Sequence, residues 1–383
     1  MIRILIVYSV SHQKPLMKSV MDNVSGDGIQ IDILDINKWQ ITSYSNKELK
    51  HQWYSVFLRL FTKKSVKGKL AKKLESIIHS IFDKIVIKST FINYDVIDFQ
   101  YYNSLYYSLI PLAKKIGKKV KINLWGSDLF RTTSKDRMNQ FNGYKLADGI
   151  QVATLPMYEK LSKEIPDFKN KINILPFGNQ KLSDFSRHFD DPVENSFLPN
   201  YDKYKLMVVL GYNGSNAQQH RIMIEALNRF PKDVQSELYV VLPMTYGLST
   251  TYLAEIKAAI TVGSYSYDIL ENSLTDKQIF DLRRLSNLTV NIQTTDAFSG
   301  SLQEHILCGN VLLVGDWLPY SMMKNAGIFY LTTSIERLPE TLFDAIKNYK
   351  SYRTQCQHNQ EKMYNLSSWN VLAEEWKKMY LAM

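Results

Sequence analysis

Short apolar runs alternate with helix-like segments along most of this chain of 383 residues. The first run, residues 2–8, is almost continuously apolar, which is typical of a strand in a parallel sheet covered on both faces. Similar runs recur along the chain, separated by segments with the period of helices. The pattern predicts repeated strand–helix units and therefore an α/β fold. The predicted strands are residues 2–8, 28–34, 94–98, 120–124, 149–153, 172–175, 205–211, 237–242, 265–270, a short run from residue 288, and 311–314.

The repeats fall into two halves, separated by a segment without periodicity. Residues 181–204 contain two prolines and neither a helical nor a strand pattern. A chain of this length also exceeds what one hydrophobic core usually organises. We therefore predict two Rossmann-like domains, 1–185 and 205–365, joined by a linker at 186–204. The tail, 366–383, is predicted as an amphipathic helix that packs back towards the first domain.

The stretch 288–316 holds the main candidate site. Its pattern indicates a strand, a small-residue turn at 298–301, a helix and a second strand. Amide N–H groups at a helix N-terminus bind phosphate, and Gly300 lets a ligand approach the backbone closely. Asp296 and Glu304 flank this turn. The arrangement suits a nucleotide-sugar, with the diphosphate on the amides and the sugar or ribose hydroxyls on the carboxylates.

A purely structural interpretation of the same residues stays open. Ser301-x-x-Glu304 also has the spacing of a capping box, in which the glutamate binds the first N–H groups of its own helix. In that case Glu304 would have no part in ligand binding.

A second glycine turn follows the strand 205–211. Residues 212–216 are small and polar, and a predicted helix from about residue 217 to 230 carries His220 and Arg221. Strand, glycine turn and helix form a phosphate-binding arrangement, to which His220 or Arg221 would supply charge, although the turn is not a dinucleotide fingerprint. The candidate donor-binding residues of both turns and of the end of strand 237–242 are Gly211, Tyr212, Asn213, Gly214, His220, Arg221, Met244, Tyr246, Phe298, Ser299, Gly300, Ser301 and Glu304.

Two residues of the first domain are candidates for acid–base chemistry. Asp128 follows the strand 120–124, and His12 follows the first strand. Both positions belong to the edge where open α/β sheets bind ligands. Each also has a structural interpretation, because Asp128 has the position of a helix cap and His12 that of an exposed loop residue.

The net charge of +10 favours an anionic partner. The segment 52–88 concentrates basic and aromatic residues and contains two acidic ones, Glu75 and Asp83. This composition is typical of a helix on an anionic bilayer surface, and equally of a helix pair that packs on the sheet with its lysines in water.

The amino-acid composition indicates the class of protein and its cellular compartment. With 45% hydrophobic and 22% charged residues, the chain is predicted to be globular and not disordered. Cys308 and Cys356 belong to no CxxC or Cys/His cluster, which favours a reducing compartment without structural zinc. No stretch approaches eighteen apolar residues, so we predict a cytoplasmic protein, soluble or peripheral on the inner membrane leaflet.

Asp296 and Glu304 also connect the chain to a known family. Their spacing resembles the E-x7-E signature of the retaining, mannosyltransferase-like (GT4-type) glycosyltransferases, and residues 308–311 lie where that group has its A-x-G-x-P-V turn. The resemblance implies the GT-B fold, in which two Rossmann-like domains face each other across a cleft. It also implies that Glu304 binds the donor ribose and that Asp296 lies at the donor sugar. The chain departs from that group at Asp296, where the group has Glu, and at Tyr212, near which the usual Arg and Lys are missing.

Four other segments resemble the bacterial 4-acetamido-4,6-dideoxygalactose (Fuc4NAc) transferase family. They are 125–130 (WGSDLF), 211–215 (GYNGS) with His220, 242–246 (LPMTY) and 281–285 (DLRRL). That family builds a surface polysaccharide on a lipid diphosphate carrier, so the resemblance implies a lipid-linked acceptor. The donor turn lacks that family's glutamine-rich pattern, which leaves the donor sugar open.

Residues and resemblances together predict a metal-independent glycosyltransferase. It would move a sugar from a UDP- or dTDP-linked donor to a glycan or lipid-linked acceptor, with no cofactor and no nucleic-acid partner. For inversion, Asp128 is the candidate general base and His12 the second; for retention, Asp128 would orient the acceptor. The alternatives are a nucleotide-sugar epimerase of the same fold and a basic membrane- or nucleic-acid-binding protein without catalysis.

Overall fold

The computed structural model describes residues 1–10, 13–38, 40–43, 48–50 and 86–383, with the backbone alone for 48–50. These residues form two compact units. Unit 1 comprises Met1–Phe177 and Leu372–Met383, and unit 2 comprises Gly178–Val371. His12 and nearly all of the basic segment 52–88 lie outside the described residues, so what was inferred from them stays a prediction.

Unit 1 is built on a mixed sheet. Its described strands are β1 (Ile2–Tyr8), β2 (Ile29–Asp35), β3 (Gln40–Thr42), β4 (Glu48–Lys50), β5 (Val96–Gln100), β6 (Lys119–Asn123), β7 (Gly149–Val152) and β8 (Ile172–Ile174). Their order is β4-β3-β2-β1-β5-β6-β7-β8. β3 and β4 pair antiparallel at one edge, and the other strands are parallel. The direction of strand succession reverses between β1 and β5, which makes their carboxyl ends a topological switch point.

Helices cover the parallel strands of unit 1, as their apolar sequences require. The side chains of Ile4, Leu5 and Ile6 in β1 are fully buried. The first helix buries residues at spacings of three and four, which is the signature of one apolar face. The described α-helices of this unit are Lys14–Val24, Leu109–Lys115, Ser127–Phe130, Ser134–Leu146, Leu155–Glu164 and, from Leu372 on, the C-terminal helix Trp369–Leu381.

The C-terminal helix is anchored by polar groups inside unit 1. Tyr380 OH donates to Asp98 Oδ2 at 2.6 Å, and Trp376 Nε1 donates to the Pro176 carbonyl at 2.9 Å. Lys121 Nζ lies 2.8 Å from Asp98 and 4.8 Å from the centre of the Trp376 ring. Burial lowers the pKa of Lys121, and Asp98 opposes that shift. A buried ion pair of this kind fixes a position more than it adds stability.

Unit 2 is built on a fully parallel sheet. Its strands are β9 (Leu206–Leu210), β10 (Leu238–Pro243), β11 (Ser266–Leu270), β12 (Leu288–Asn291), β13 (Val311–Gly315) and β14 (Leu331–Thr333). Their order, β11-β10-β9-β12-β13-β14, is the 3-2-1-4-5-6 order of the Rossmann fold. The switch point lies between β9 and β12. The α-helices of this unit are Gln180–Ser186, His220–Asn228, Lys232–Ser236, Thr250–Ile260, Asp276–Leu285, Gly300–Leu307, Ser321–Asn325, Leu338–Lys347, Tyr349–Gln355, Asn359–Ser367 and the first residues of Trp369–Leu381.

Every strand predicted from the apolar runs is present, and the differences are local. β3, β4 and β14 were not predicted, because three residues are too few to show a period. The helix Gln180–Ser186 begins inside the segment that showed no periodicity. The helix predicted from about residue 217 instead begins at His220, since Gln219 takes the left-handed conformation with φ 60° after a short 3₁₀ turn.

In the part of the chain that the structure describes, no helix is long and apolar enough to cross a membrane.

Candidate functional site

The loops after β9, β12 and β13 meet at the switch point of unit 2. The amide of Thr294, after β12, donates to the carbonyl of Ala217, after β9, at 2.9 Å. Trp317, after β13, donates its indole N–H to the carbonyl of Gln293 at 2.9 Å. These bonds join the three loops into one edge, which is where open α/β sheets bind ligands.

The turn after β9 requires glycine at two positions. Gly211 has φ +65°, and a Cβ there would lie 2.9 Å from both Gln218 Oε1 and His220 Nε2. A Cβ on Gly214 would lie 2.5 Å from the Cβ of Leu248. Since real Cβ contacts are longer than these, a larger residue would have to displace the site's own side chains.

His220 is fully buried beneath this turn and is neutral. Its backbone N–H donates to Tyr252 OH at 3.1 Å, and that hydroxyl lies 3.2 Å from Nδ1. The ring nitrogen Nδ1 and the Tyr252 hydroxyl are therefore hydrogen-bond partners. Nε2 has no partner among the described residues and faces Gly211. Burial lowers the pKa of His220 to about 4.

The lowered pKa of His220 argues against positive charge from this residue, and for Arg221 the expectation stays a prediction. His220 is uncharged at neutral pH because it is buried. Arg221 is exposed, and its Nε lies 2.8 Å from Glu225 on the same helix. His220 is a neutral, buried side chain that packs beneath Gly211.

Neutral polar groups complete this side of the site. Tyr212 OH donates to Gln293 Oε1 at 2.9 Å, and burial raises its pKa. Asn213 Oδ1 accepts the Ser215 amide at 2.9 Å. Of the two candidates after β10, Tyr246 is 60% exposed, whereas Met244 is fully buried in the core. The side chain of Met244 therefore cannot reach a ligand from the solvent side, which corrects its inclusion among side-chain contacts.

The helix Gly300–Leu307 begins with amides that the protein does not cap. Ser299 precedes it without a side-chain cap, and its first turn contains no acidic residue. The first amide with a partner here is that of Gln303, which donates to the Ser299 carbonyl at 3.2 Å. Within residues 86–383, the N–H groups of 300–302 thus face no acceptor, and such groups bind anions. Phe298 packs on the apolar core beside them.

Glu304 does not cap its own helix. Its Oε2 lies 3.3 Å from both Nε and Nη2 of Arg283, and the two side chains are buried. Ser301 lies inside the helix, and its Oγ accepts from Arg283 Nη2 at 2.7 Å. The capping-box interpretation is therefore wrong. Glu304 Oε1 has no hydrogen-bond partner among the described residues, so one oxygen remains for a ligand.

Asp296 is held at the same edge by an aromatic hydroxyl. Tyr320 OH donates to Asp296 Oδ2, and Asn291 Nδ2 donates to that hydroxyl at 2.9 Å. Asp296 Oδ1 accepts the Ala297 amide at 2.8 Å. Burial raises the pKa of Asp296, and the hydrogen bond from Tyr320 opposes that shift.

Comparison with solved structures identifies the fold. HepE from Anabaena, in complex with UDP and glucose, is 13% identical and matches over 100% of both chains with a TM-score of 0.66. Sucrose-phosphate synthase from Thermosynechococcus elongatus is 12% identical over 100% of this chain and 99% of its own, with a TM-score of 0.66. A putative UDP-N-acetylglucosamine 2-epimerase from Listeria monocytogenes is 17% identical over 100% and 97%, with a TM-score of 0.59.

The chain has the GT-B fold. The predicted fold class of two Rossmann-like α/β domains is confirmed. No protein-family model and no curated protein matches the sequence. The resemblances to the E-x7-E group and to the Fuc4NAc transferases therefore stay predictions.

In unit 1, the carboxylate of Asp128 accepts hydrogen bonds from the backbone of two neighbouring loops. Oδ1 accepts the Trp125 amide and Oδ2 accepts the Tyr102 amide, both at 2.8 Å. Burial raises the pKa of Asp128 to about 7, and these hydrogen bonds oppose the shift. The residue joins the loops after β5 and β6 beside a cavity of about 210 Å³, whose walls include Tyr101 and Arg131.

The described residues contain no group of three or more His, Cys, Asp or Glu side chains that could hold an ion. The sequence had suggested Asp296, Glu304 and the two glycine turns. It had included Arg283 only within the segment 281–285, without a partner, and had not suggested Gln293 or Tyr320, because their roles depend on contacts with residues 21, 75 and 24 positions away.

Proposed function

We propose that this GT-B protein transfers a sugar from a nucleotide-diphosphate donor to an acceptor hydroxyl, with the donor bound at the switch point of unit 2. The observation that carries the proposal is the combination at the helix Gly300–Leu307. Its first amides are uncapped, and Glu304 beside them keeps one carboxylate oxygen without a protein partner.

The diphosphate would bind at the amides of 300–302. A helix N-terminus carries about half a positive charge, and its N–H groups converge on an anion. His220, buried beneath Gly211, would support the facing loop from below. The amides are fixed before the donor substrate arrives, so they stabilise the charge that develops on the leaving diphosphate without reorganisation. Groups of this kind contribute about 3–4 kcal/mol each in the best-studied sites.

Glu304 would bind a ribose hydroxyl through Oε1. A carboxylate is an acceptor without a proton to give, so it suits a hydroxyl and repels a phosphate. The substrate's ribose, rather than its diphosphate, is therefore the partner of Glu304. Asp296, with its pKa raised, would lie towards the transferred sugar.

The proposed base, sugar and acceptor follow from the matched structures and from the resemblances in the sequence. The matched HepE structure contains UDP, which makes UDP the first nucleotide to test, with dTDP second. The resemblance to Fuc4NAc transferases supports a lipid-linked acceptor in bacterial surface polysaccharide synthesis. The basic segment 52–88 would then place the enzyme on the inner membrane leaflet, as its composition suggests. Catalysis without a metal belongs to the same proposal.

Retention of configuration is the simpler stereochemical proposal. Inversion needs a general base, and Asp128, whose two oxygens each accept one backbone amide, is the candidate in unit 1. Retention needs no such base, and Asp128 would then only shape the acceptor loops. Determination of the anomeric configuration of the product by NMR decides between the two.

Thermal melting with nucleotides tests the proposal. Unfolding is followed with UDP, dTDP, ADP and GDP, each against inorganic phosphate as the control. A ligand at one hundred times its Kd stabilises the folded state by about 2.7 kcal/mol, which is a measurable rise in Tm. We expect UDP or dTDP to raise Tm and phosphate to leave it unchanged. If no nucleoside diphosphate shifts the Tm of the intact protein, the transferase proposal fails.

Epimerisation is the second candidate, because the Listeria epimerase structure also matches over the whole chain. An epimerase converts the nucleotide-sugar without an acceptor and retains the nucleotide–sugar bond in its product. Release of free UDP or dTDP that depends on an added acceptor would therefore support transfer. A new nucleotide-sugar formed with no acceptor present would support epimerisation.

A further inference from the structure

Arg283 is the residue that holds Glu304 in place. It lies near the end of the helix Asp276–Leu285 and is 5% exposed. Its Nε and Nη2 both lie 3.3 Å from Glu304 Oε2, and Nη2 also donates to Ser301 Oγ at 2.7 Å. One guanidinium thus binds the first turn of the site helix and the carboxylate that follows it.

The partners of Arg283 leave part of its hydrogen-bonding capacity unused. Glu304 is its one acidic partner among the described residues. Its Nη1 is buried and has no partner in that part of the chain. An unpaired buried N–H group costs free energy, and this one has hydrogen-bonding capacity left over. Arg284, the next residue, instead pairs with Asp281 at 3.6 Å and donates to the Asp191 carbonyl at 2.7 Å.

The ion pair also changes the charge of the candidate site. A lone carboxylate one turn from the amides of 300–302 would repel a diphosphate, and the repulsion would be strong because the surroundings are buried. Arg283 cancels that charge while it contacts Oε2 alone. Oε1 stays open to a hydroxyl, and Ser301 Oγ is drawn away from capping the amides.

This inference rests on the proposed function. We propose that Arg283 is a positioning residue of the nucleoside-diphosphate site, which orients Glu304 towards the ribose and neutralises its charge beside the diphosphate. Arg283 acts through Glu304 and Ser301 and makes no contact with the reacting atoms.

Affinity for a nucleoside diphosphate in a double-mutant cycle tests this role. The probe is whichever of UDP and dTDP the wild type binds, and affinity is measured by calorimetry on Arg283→Ala, Glu304→Ala and the double variant. Arg284→Ala is the matched control, since Arg284 lies outside the site. We expect Arg283→Ala to weaken binding at least threefold more than Glu304→Ala does, and Arg284→Ala to leave it unchanged. The double variant should bind at least threefold more tightly than Arg283→Ala, because it no longer has an unneutralised carboxylate.

A merely structural role would give a different pattern. Loss of packing would make the double variant bind no better than Arg283→Ala, and that result would overturn the proposal. Wild-type affinity in a folded Arg283→Ala would overturn it too. If Arg283→Ala does not fold, Arg283→Lys takes its place in the cycle, because it keeps the charge and loses the two-point contact. It should bind less tightly than wild type, and equal binding would count against positioning. If the wild type itself binds neither nucleotide, it is the proposed function that fails.

Discussion

Carboxylates lie at the C-terminal edge of both sheets, and their hydrogen-bond partners differ. In unit 1, both oxygens of Asp128 accept backbone amides, from Trp125 and Tyr102. In unit 2, Glu304 gives one oxygen to Arg283 and keeps the other without a partner among the described residues. The two residues occupy similar places in similar folds, but their free capacity for a ligand is different.

A position at the ligand-binding edge of a sheet therefore does not by itself make a residue functional. An acid whose two oxygens each accept a backbone amide holds a loop together and keeps one lone pair on each oxygen. An acid with one unused oxygen beside uncapped amides is available to a substrate. The predictions below separate these two roles.

Of the variants that compare the two carboxylates, Glu304→Gln should lower the activity of the protein most. The variant keeps the shape of the side chain and loses the charged acceptor for a ribose hydroxyl. A hydrogen bond to a charged group contributes about 1.5–3 kcal/mol, so kcat/KM for the donor should fall roughly 10- to 150-fold. Steady-state kinetics measure the loss, and Tm confirms that the variant is folded. A folded variant with wild-type kcat/KM would remove Glu304 from the donor site.

Asp128→Ala should affect local stability more than nucleotide binding. Without the carboxylate, the amides of Trp125 and Tyr102 lose their acceptors, at a cost of about 1 kcal/mol or more each. Hydrogen exchange at these two amides should therefore be roughly fivefold faster or more. Affinity for the nucleotide should not change, since that site belongs to unit 2. Unchanged exchange would show that Asp128 does not organise these loops.

The pH dependence of the unfolding free energy reports the pKa of Asp128. Its pKa is about 7 in the folded protein and lower in the unfolded chain, so the folded state binds the proton more tightly. The resulting stabilisation is fully present below about pH 4 and is lost as the pH rises through 7. Asp128→Asn does not titrate. The unfolding free energy of the wild type relative to this variant should therefore fall between pH 4 and 8. A constant difference would mean that the two amides keep the carboxylate ionised throughout.

The smallest changes in nucleotide-sugar binding are expected for variants of His220 and Arg221. His220→Gln should weaken nucleotide-sugar binding by about 0.5–1.5 kcal/mol, or roughly 2- to 12-fold, because the loop at Gly211 loses the hydrogen bond between the ring and Tyr252. Arg221→Ala should leave binding unchanged, because its side chain is exposed and pairs with Glu225. Calorimetry on both variants measures the difference. A larger loss in Arg221→Ala would support the charged role predicted for Arg221 from the sequence.

Much of the fold could be predicted from the sequence. Long apolar runs such as β1 and β13 are buried on both faces in a parallel sheet, so the pattern marks them directly. The turn before Gly300 was predicted for a different reason. Small residues between a predicted strand and a predicted helix indicate a tight turn. Short strands such as β14 carry too few residues for a period to show.

Side-chain partners could not be predicted in the same way. The choice of Glu304 between its own helix end and Arg283 depends on how two helices pack, and spacing along one helix does not contain that information. Nor does sequence show that Asp128 would be satisfied by Tyr102, an amide 26 residues away. The burial that makes His220 neutral likewise depends on Tyr252, on another helix.

A crystal structure of the protein with UDP, or with dTDP if that nucleotide binds more tightly, is the direct test of whether the donor binds at the amides of 300–302 and Glu304. The account predicts phosphate oxygens within hydrogen-bond distance of the amides of 300–302 and a ribose hydroxyl on Glu304 Oε1, with Arg283 still on Oε2. A nucleotide bound elsewhere, or bound here with Glu304 contacting no part of it, would contradict the account.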